Sequence, residues 1–135
     1  MHREELQVST RGECDVHDLT DALRGAIERA GIVDGMAHVF TPGATAGVTT
    51  IEFEPGCVAD LQAAMERIAP RDGVYEHNRR WGDGNGFSHL RAALLGPSLS
   101  VPVDNDLPIL GTWQQVILVD FDNKPRDRRV VITVT

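Results

Sequence analysis

Two imidazoles, His77 and His89, bracket the run Gly82-Asp83-Gly84-Asn85-Gly86, which holds the carboxylate of Asp83 between them. Imidazole nitrogens and a carboxylate oxygen are donors for a divalent metal that keeps positions open. Asp83 and His89 are also candidate acid–base groups, because imidazole changes charge nearest to neutral pH. The glycine run reads first as a turn, since Asp-Gly and Asn-Gly pairs tolerate positive φ. An anion cradle is the other reading. However, the run lacks the Gly-Lys-Ser/Thr ending of a phosphate loop, the dinucleotide-binding spacing and the far glutamate of a calcium loop. Glu52, between Ile51 and Phe53, is a further catalytic candidate where a strand turns it into a cleft; on a half-buried strand it equally faces solvent. His2 is terminal, His17 stands at a helix start and His38 on a strand. Cys14 and Cys57 lack zinc-ligand spacing and read as small buried residues.

These groups need elements to hold them. Alternation of Leu6 and Val8 predicts a strand over Glu5 to Thr10. Asp15 or Asp18 then caps a helix with the stripe Val16, Leu19, Leu23, Ala26, Ile27 and Ala30, closed by Gly31. Strands follow over Met36 to Thr41 and Val48 to Glu54, separated by a Pro42-Gly43 turn. A second helix runs from Val58 to Ala69 and ends at Pro70. Arg71 to Gly86 reads as one long connection, of the kind that carries function in compact domains. Ser88 to Leu95 fits helical spacing but is ambiguous. Strands over Ser98 to Val103, Trp113 to Phe121 and Arg128 to Thr135 complete the chain. Val116-Ile117-Leu118-Val119 is apolar on both faces, so that strand should be central. The expected class is α+β, with two main helices against largely antiparallel strands.

At 135 residues the chain suits a single domain with its own core. A 41% hydrophobic content with 13 glycines excludes a disordered chain. No apolar run approaches the ~20 residues of a membrane span. The opening Met1-His2-Arg3-Glu4-Glu5 has no hydrophobic signal core, so a cytoplasmic protein is expected. Thirteen basic against 20 acidic residues give a net charge of -7, which argues against nucleic acid as a partner. The basic cluster from Lys124 to Arg129 reads as a solvated turn.

The run from Asp83 to Ser98, Asp-Gly-Asn-Gly-Phe-Ser-His-Leu-Arg-Ala-Ala-Leu-Leu-Gly-Pro-Ser, resembles the YjbQ family. So do Leu110-Gly111-Thr112-Trp113-Gln114-Gln115-Val116, Thr45 to Glu52 and Tyr75-Glu76-His77-Asn78. The resemblance extends from Leu6 to Val134. It implies an α+β fold built around a β-sandwich, a homotrimer, and a histidine-rich polar cluster acting as a metal or anion site. Family members are named for a low, secondary thiamine-phosphate synthase activity, which joins a pyrimidine diphosphate to a thiazole phosphate and releases pyrophosphate. On that reading His77, His89 and Asp83 hold a divalent metal, zinc or magnesium. Asp83, His89 and Glu52 are catalytic. Arg91 meets phosphate oxygens, and Asn85 and Trp81 contact the substrate. The alternative is a non-catalytic trimer that binds a metal or a small phosphorylated metabolite. The chain departs from the family pattern at Gly43 and Phe87, where histidine is common, and at Gly82, which replaces a histidine of close relatives. Trp113 is read as packed in the core or an interface.

Overall fold

The computed structural model describes residues 1–135. In chain order the elements are β1 His2–Thr10, β2 Asp15–Asp18, α1 Thr20–Ala30, β3 Gly35–Phe40, β4 Ala46–Ile51 and α2 Pro55–Ile68. They continue with α3 Glu76–Trp81, α4 Gly86–Leu95, β5 Ser98–Asp104, β6 Leu107–Pro108, β7 Gln115–Asp120 and β8 Arg126–Val134. All strand pairs are antiparallel, in a five-stranded sheet β1-β8-β3-β5-β6 and a three-stranded sheet β2-β7-β4. The α+β class is as expected. No helix is long and apolar enough to cross a membrane.

β7 is central in its sheet, and its residues divide between two cores. Val116 and Leu118 pack with α1 and with β3, β5 and β8 of the larger sheet. Ile117 and Val119 point the other way, toward Met65 of α2 and Ala92 of α4. An uninterrupted apolar run is what a strand covered on both faces requires. α4 presses closely on β4. A Cβ at Gly47 would fall 2.8 Å from both Gly96 O and a Leu95 side-chain carbon, so glycine admits the contact.

Several expected boundaries move. Val16 lies in β2 instead of the first helix, paired opposite Val119. Asp15 accepts from the Arg11 N–H at 2.9 Å, while Asp18 accepts from the N–H and hydroxyl of Thr20. The N-cap position itself is Leu19, with no side-chain cap. Pairing with β7 outweighs the helical spacing of Val16, which shows tertiary pairing overriding local periodicity. β4 ends at Ile51, because Glu54 turns to cap α2 and accepts from the N–H groups of Gly56 and Cys57, both at 2.7 Å. Pro55 opens that helix, where its missing N–H costs no bond. The long connection over Arg71 to Gly86 contains α3, so the chain has two shorter helices beside the two main ones. Cys14 is buried as expected, and Cys57 is only half-buried.

Candidate functional site

The α3–α4 junction positions the histidines. Gly82 ends α3 at φ +71°, its N–H bonded to Asn78 O, and Gly84 follows at φ +68°. These left-handed residues fold the chain back so that α4 starts beside α3. Asn78 Oδ1 accepts from Gly86 N–H at 2.8 Å, and a Cβ at Gly86 would meet Tyr75 Cβ at 2.6 Å. Glycine thereby lets the two helices touch. His77 and His89, each on the first turns of its helix, come together with ring centroids 4.3 Å apart and planes inclined 39°. Asp83 Oδ1 lies 3.7 Å from His77 Nδ1.

These residues form one wall of a cleft of about 420 Å³, lined also by Trp81, Asn85, Ala44 and Thr45 and closed by Asp122, Arg126 and Arg128. The opposite wall is a buried ionic network. Asp120 and Asp122 are both 0% exposed. Arg128 donates from Nε and from Nη2 to the two oxygens of Asp120, both at 2.7 Å. Thr10 donates to Asp120 as well, and the Asp122 N–H reaches Asp120 Oδ1 at 3.0 Å. Asp122 accepts from Thr45 at 3.1 Å, Arg126 Nε at 3.0 Å and Asn85 Nδ2 at 3.3 Å. Burial alone would raise the Asp122 pKa. The Asn123 N–H and the side chains of Asn85, Arg126 and Thr45 outweigh it and hold the carboxyl below its usual range. Burial first, and the neighbouring His77 second, pull the His89 pKa down, which favours the neutral ring.

His77, Asp83, His89, Asn85 and Trp81 are therefore brought together, and Arg91 and Glu52 are not. Arg91 is 4% exposed, donates to Ala69 O at 2.9 Å and Glu66 Oε2 at 2.7 Å, and lies over the Phe87 ring. It ties α4 to the end of α2 and does not line the cleft. Glu52 is exposed beside Asp18, Phe53 and Trp113, in a separate surface recess. The expectation that Glu52 and Arg91 share one site with His77, Asp83 and His89 is thus corrected. The β4 turn into α2 carries Glu52 elsewhere, and helical rotation points Arg91 inward. Trp113 is exposed in the chain rather than packed in its core.

The departures from the family pattern are also placed. Phe87 is fully buried under Arg91 and does not line the cleft. Gly43 has φ +130°, and a Cβ there would stand 3.2 Å from Arg128 Nη1, so an imidazole at this position is strained. His77, Asp83 and His89 do not converge as three ligands around one point. Two atoms at the cleft are sealed from solvent without any partner, His77 Nδ1 and Asn85 Oδ1.

Asp122, Arg126 and Arg128 are not among the residues expected at the site; the two arginines belong to the basic cluster Lys124 to Arg129 that reads as a solvated turn. A signal for them exists. Asp120 and Asp122, and Arg126 and Arg128, are each two residues apart, the spacing that puts strand side chains on one face.

The fold and cleft define a two-sheet α+β protein with a polar recess at a helix–helix junction. The chain belongs to the YjbQ-like UPF0047 family, whose model matches residues 4–135. It is 44% identical over 114 residues to a UPF0047 protein of Mycobacterium tuberculosis strain H37Rv, covering 84% of this chain and 83% of the relative. A UPF0047 protein of Methanothermobacter thermautotrophicus is 36% identical over 134 residues, covering 99% and 92%. The crystal structure of a YbjQ-like protein of unknown function from Sulfolobus solfataricus matches with a TM-score of 0.93 at 27% identity, covering 98% of this chain and 95% of that one.

Proposed function

We propose that the cleft binds a small phosphorylated molecule and serves a transferase reaction of the thiamine-phosphate synthase type. What supports this reading is one recess that sets imidazoles and an exposed carboxylate opposite the guanidinium groups of Arg126 and Arg128. Arginine N–H groups suit phosphate oxygens, and the Trp81 indole at the lip suits a flat ring. In the reaction, the lone pair of a thiazole nitrogen forms a bond to the methylene carbon of a pyrimidine diphosphate. The carbon–oxygen bond breaks and its electron pair leaves on pyrophosphate. The arginines stabilise the departing charge, and the Asp83 carboxylate favours the cationic carbon. Incubating the protein with both precursors and assaying thiamine phosphate tests this. Turnover that falls about a hundredfold in Asp83→Asn is expected, and a wild-type rate no faster than buffer would remove the transferase reading.

A divalent cation, zinc or magnesium, is a second occupant. It is supported by the unpartnered His77 Nδ1, 3.7 Å from Asp83 Oδ1. That pair would hold the ion, which would help neutralise a diphosphate. Because the three ligands do not converge, the displacement above is assigned to the arginines and Asp83, with no step through a metal. Zinc calorimetry on wild type and His77→Ala decides; equal heats in both would remove the cation.

We infer also a homotrimer. Trp113, Ile109, Leu107 and Phe40 are large, apolar and exposed, and association would cover them. Light scattering should return three times the chain mass, and a monomer at micromolar concentration would overturn this.

A further inference from the structure

We propose that Arg128 Nη1 is the donor that reads a phosphate oxygen in the cleft, and that Gly43 is glycine so that this nitrogen stays open. The inference rests on the reading of the cleft as a phosphate site and names the residues that would make it one.

Arg128 is 8% exposed. Its Nε and Nη2 are committed to Asp120, and Nη2 also donates to Thr45. Nη1 makes no hydrogen bond within the chain. It is also not one of the unpartnered atoms sealed from solvent, which are His77 Nδ1 and Asn85 Oδ1. The buried guanidinium therefore presents one nitrogen to the cleft that it lines. Its plane is set by the two-point contact with Asp120, so little side-chain freedom remains to be lost on binding.

Gly43 borders an adjoining recess that shares Ala44 and His89 with the cleft. Arg128 Nη1 is the one heavy atom that a Cβ at this position would meet, at 3.2 Å. Any side chain would crowd the nitrogen, and the φ of +130° independently disfavours one. The space beside Gly43 is thus bounded by a guanidinium edge. Neighbouring charge does not oppose an anion strongly. Asp120 and Asp122 are buried and bonded to arginine, hydroxyl and N–H donors, and Arg126 pairs with Asp122 at 2.9 Å. Asp83 is the exposed carboxylate of the cleft and stands on the other wall. The ligand class is a phosphate or diphosphate group, with a non-bridging oxygen accepting from Nη1.

The test is titration of wild-type protein with inorganic pyrophosphate, followed by NMR of the arginine side-chain nitrogens and histidine rings. A saturable shift of the Arg128 Nη signals is expected. Gly43→Ala should weaken pyrophosphate binding about tenfold, the size of one lost charge-assisted hydrogen bond. Saturable shifts at His77 and His89 with Arg128 unmoved would leave the cleft reading standing and overturn this inference. No saturable shift in the cleft would overturn both. Should Gly43→Ala not fold, the wild-type titration decides alone.

Discussion

The two walls of the cleft are built in opposite ways. On the strand wall, Asp120, Asp122 and Arg128 are buried, and the carboxylate oxygens are matched by arginines of β8, the Asp122 and Asn123 N–H groups, Asn85 and the Thr10 and Thr45 hydroxyls. On the helix wall, His77 Nδ1 and Asn85 Oδ1 have no partner, and the Asp83 side chain is 56% exposed. Leaving a buried polar atom unpaired costs about 1–3 kcal/mol. A fold that pairs every carboxylate oxygen of one wall, with Arg128 Nη1 left over there, and leaves atoms of the other wall unpaired separates orientation from chemistry. The fixed side holds a ligand in place, and the open side keeps bonding capacity for it.

Asp120→Ala attacks the fixed wall and has the largest expected effect. It leaves the Arg128 guanidinium buried without its counter-charge and should cost about 3–5 kcal/mol of stability. The urea midpoint reports this; an unchanged midpoint would mean that the pair does not hold the wall. His89→Ala attacks the open wall. Pyrophosphate binding should weaken about tenfold, with a melting temperature close to wild type. If stability fell instead and binding did not, the contrast between the walls would disappear. Arg91→Met lies outside both walls and breaks bonds to Ala69 O and Glu66. It should cost about 2 kcal/mol of stability while turnover per folded molecule is kept. A selective loss of turnover would return Arg91 to the site.

The smallest effect is on pH dependence. His89 has its pKa lowered in the folded chain, by burial first and then by His77. As pH falls through about 6.5, the unfolded chain takes up this proton before the folded one does. The resulting loss of stability begins near that pH and grows until the lower folded pKa is passed; above it there is no penalty. His89→Gln should show a smaller drop in urea midpoint between about pH 7.5 and 5.5. An equal drop would place the dependence on another group.

How far the site could be read in advance depended on sequence distance. His77, Asp83, Asn85 and His89 sit within one turn signal, and the Asp-Gly and Asn-Gly pairs announced the reversal that joins them. Arg91 lies only two residues from His89, yet α4 points it into the protein toward Glu66. Thr45 and Arg128 are 83 positions apart and meet only because β4 and β8 bring their ends together. The two-residue spacing puts Arg128 on one strand face with Arg126 but does not say what that face meets. The role of Arg128 comes from Asp120, reached through the sheets' packing.

The sequence by itself determined that β7 would be central, that Gly31 would end the first long helix, and that a turn would follow His77. Each rests on short-range physics: apolar residues on both strand faces, and residues that accept positive φ. Tertiary structure decided which side chains share the cleft. It drew Val16 into a strand by pairing it with β7, buried Phe87 and Arg91, and turned Glu52 to a separate surface. It also brought Arg128 to Gly43, where a buried charge must be paired and one nitrogen is left over. Burial and charge pairing depend on neighbours distant in the chain, so no local pattern in the sequence specifies them.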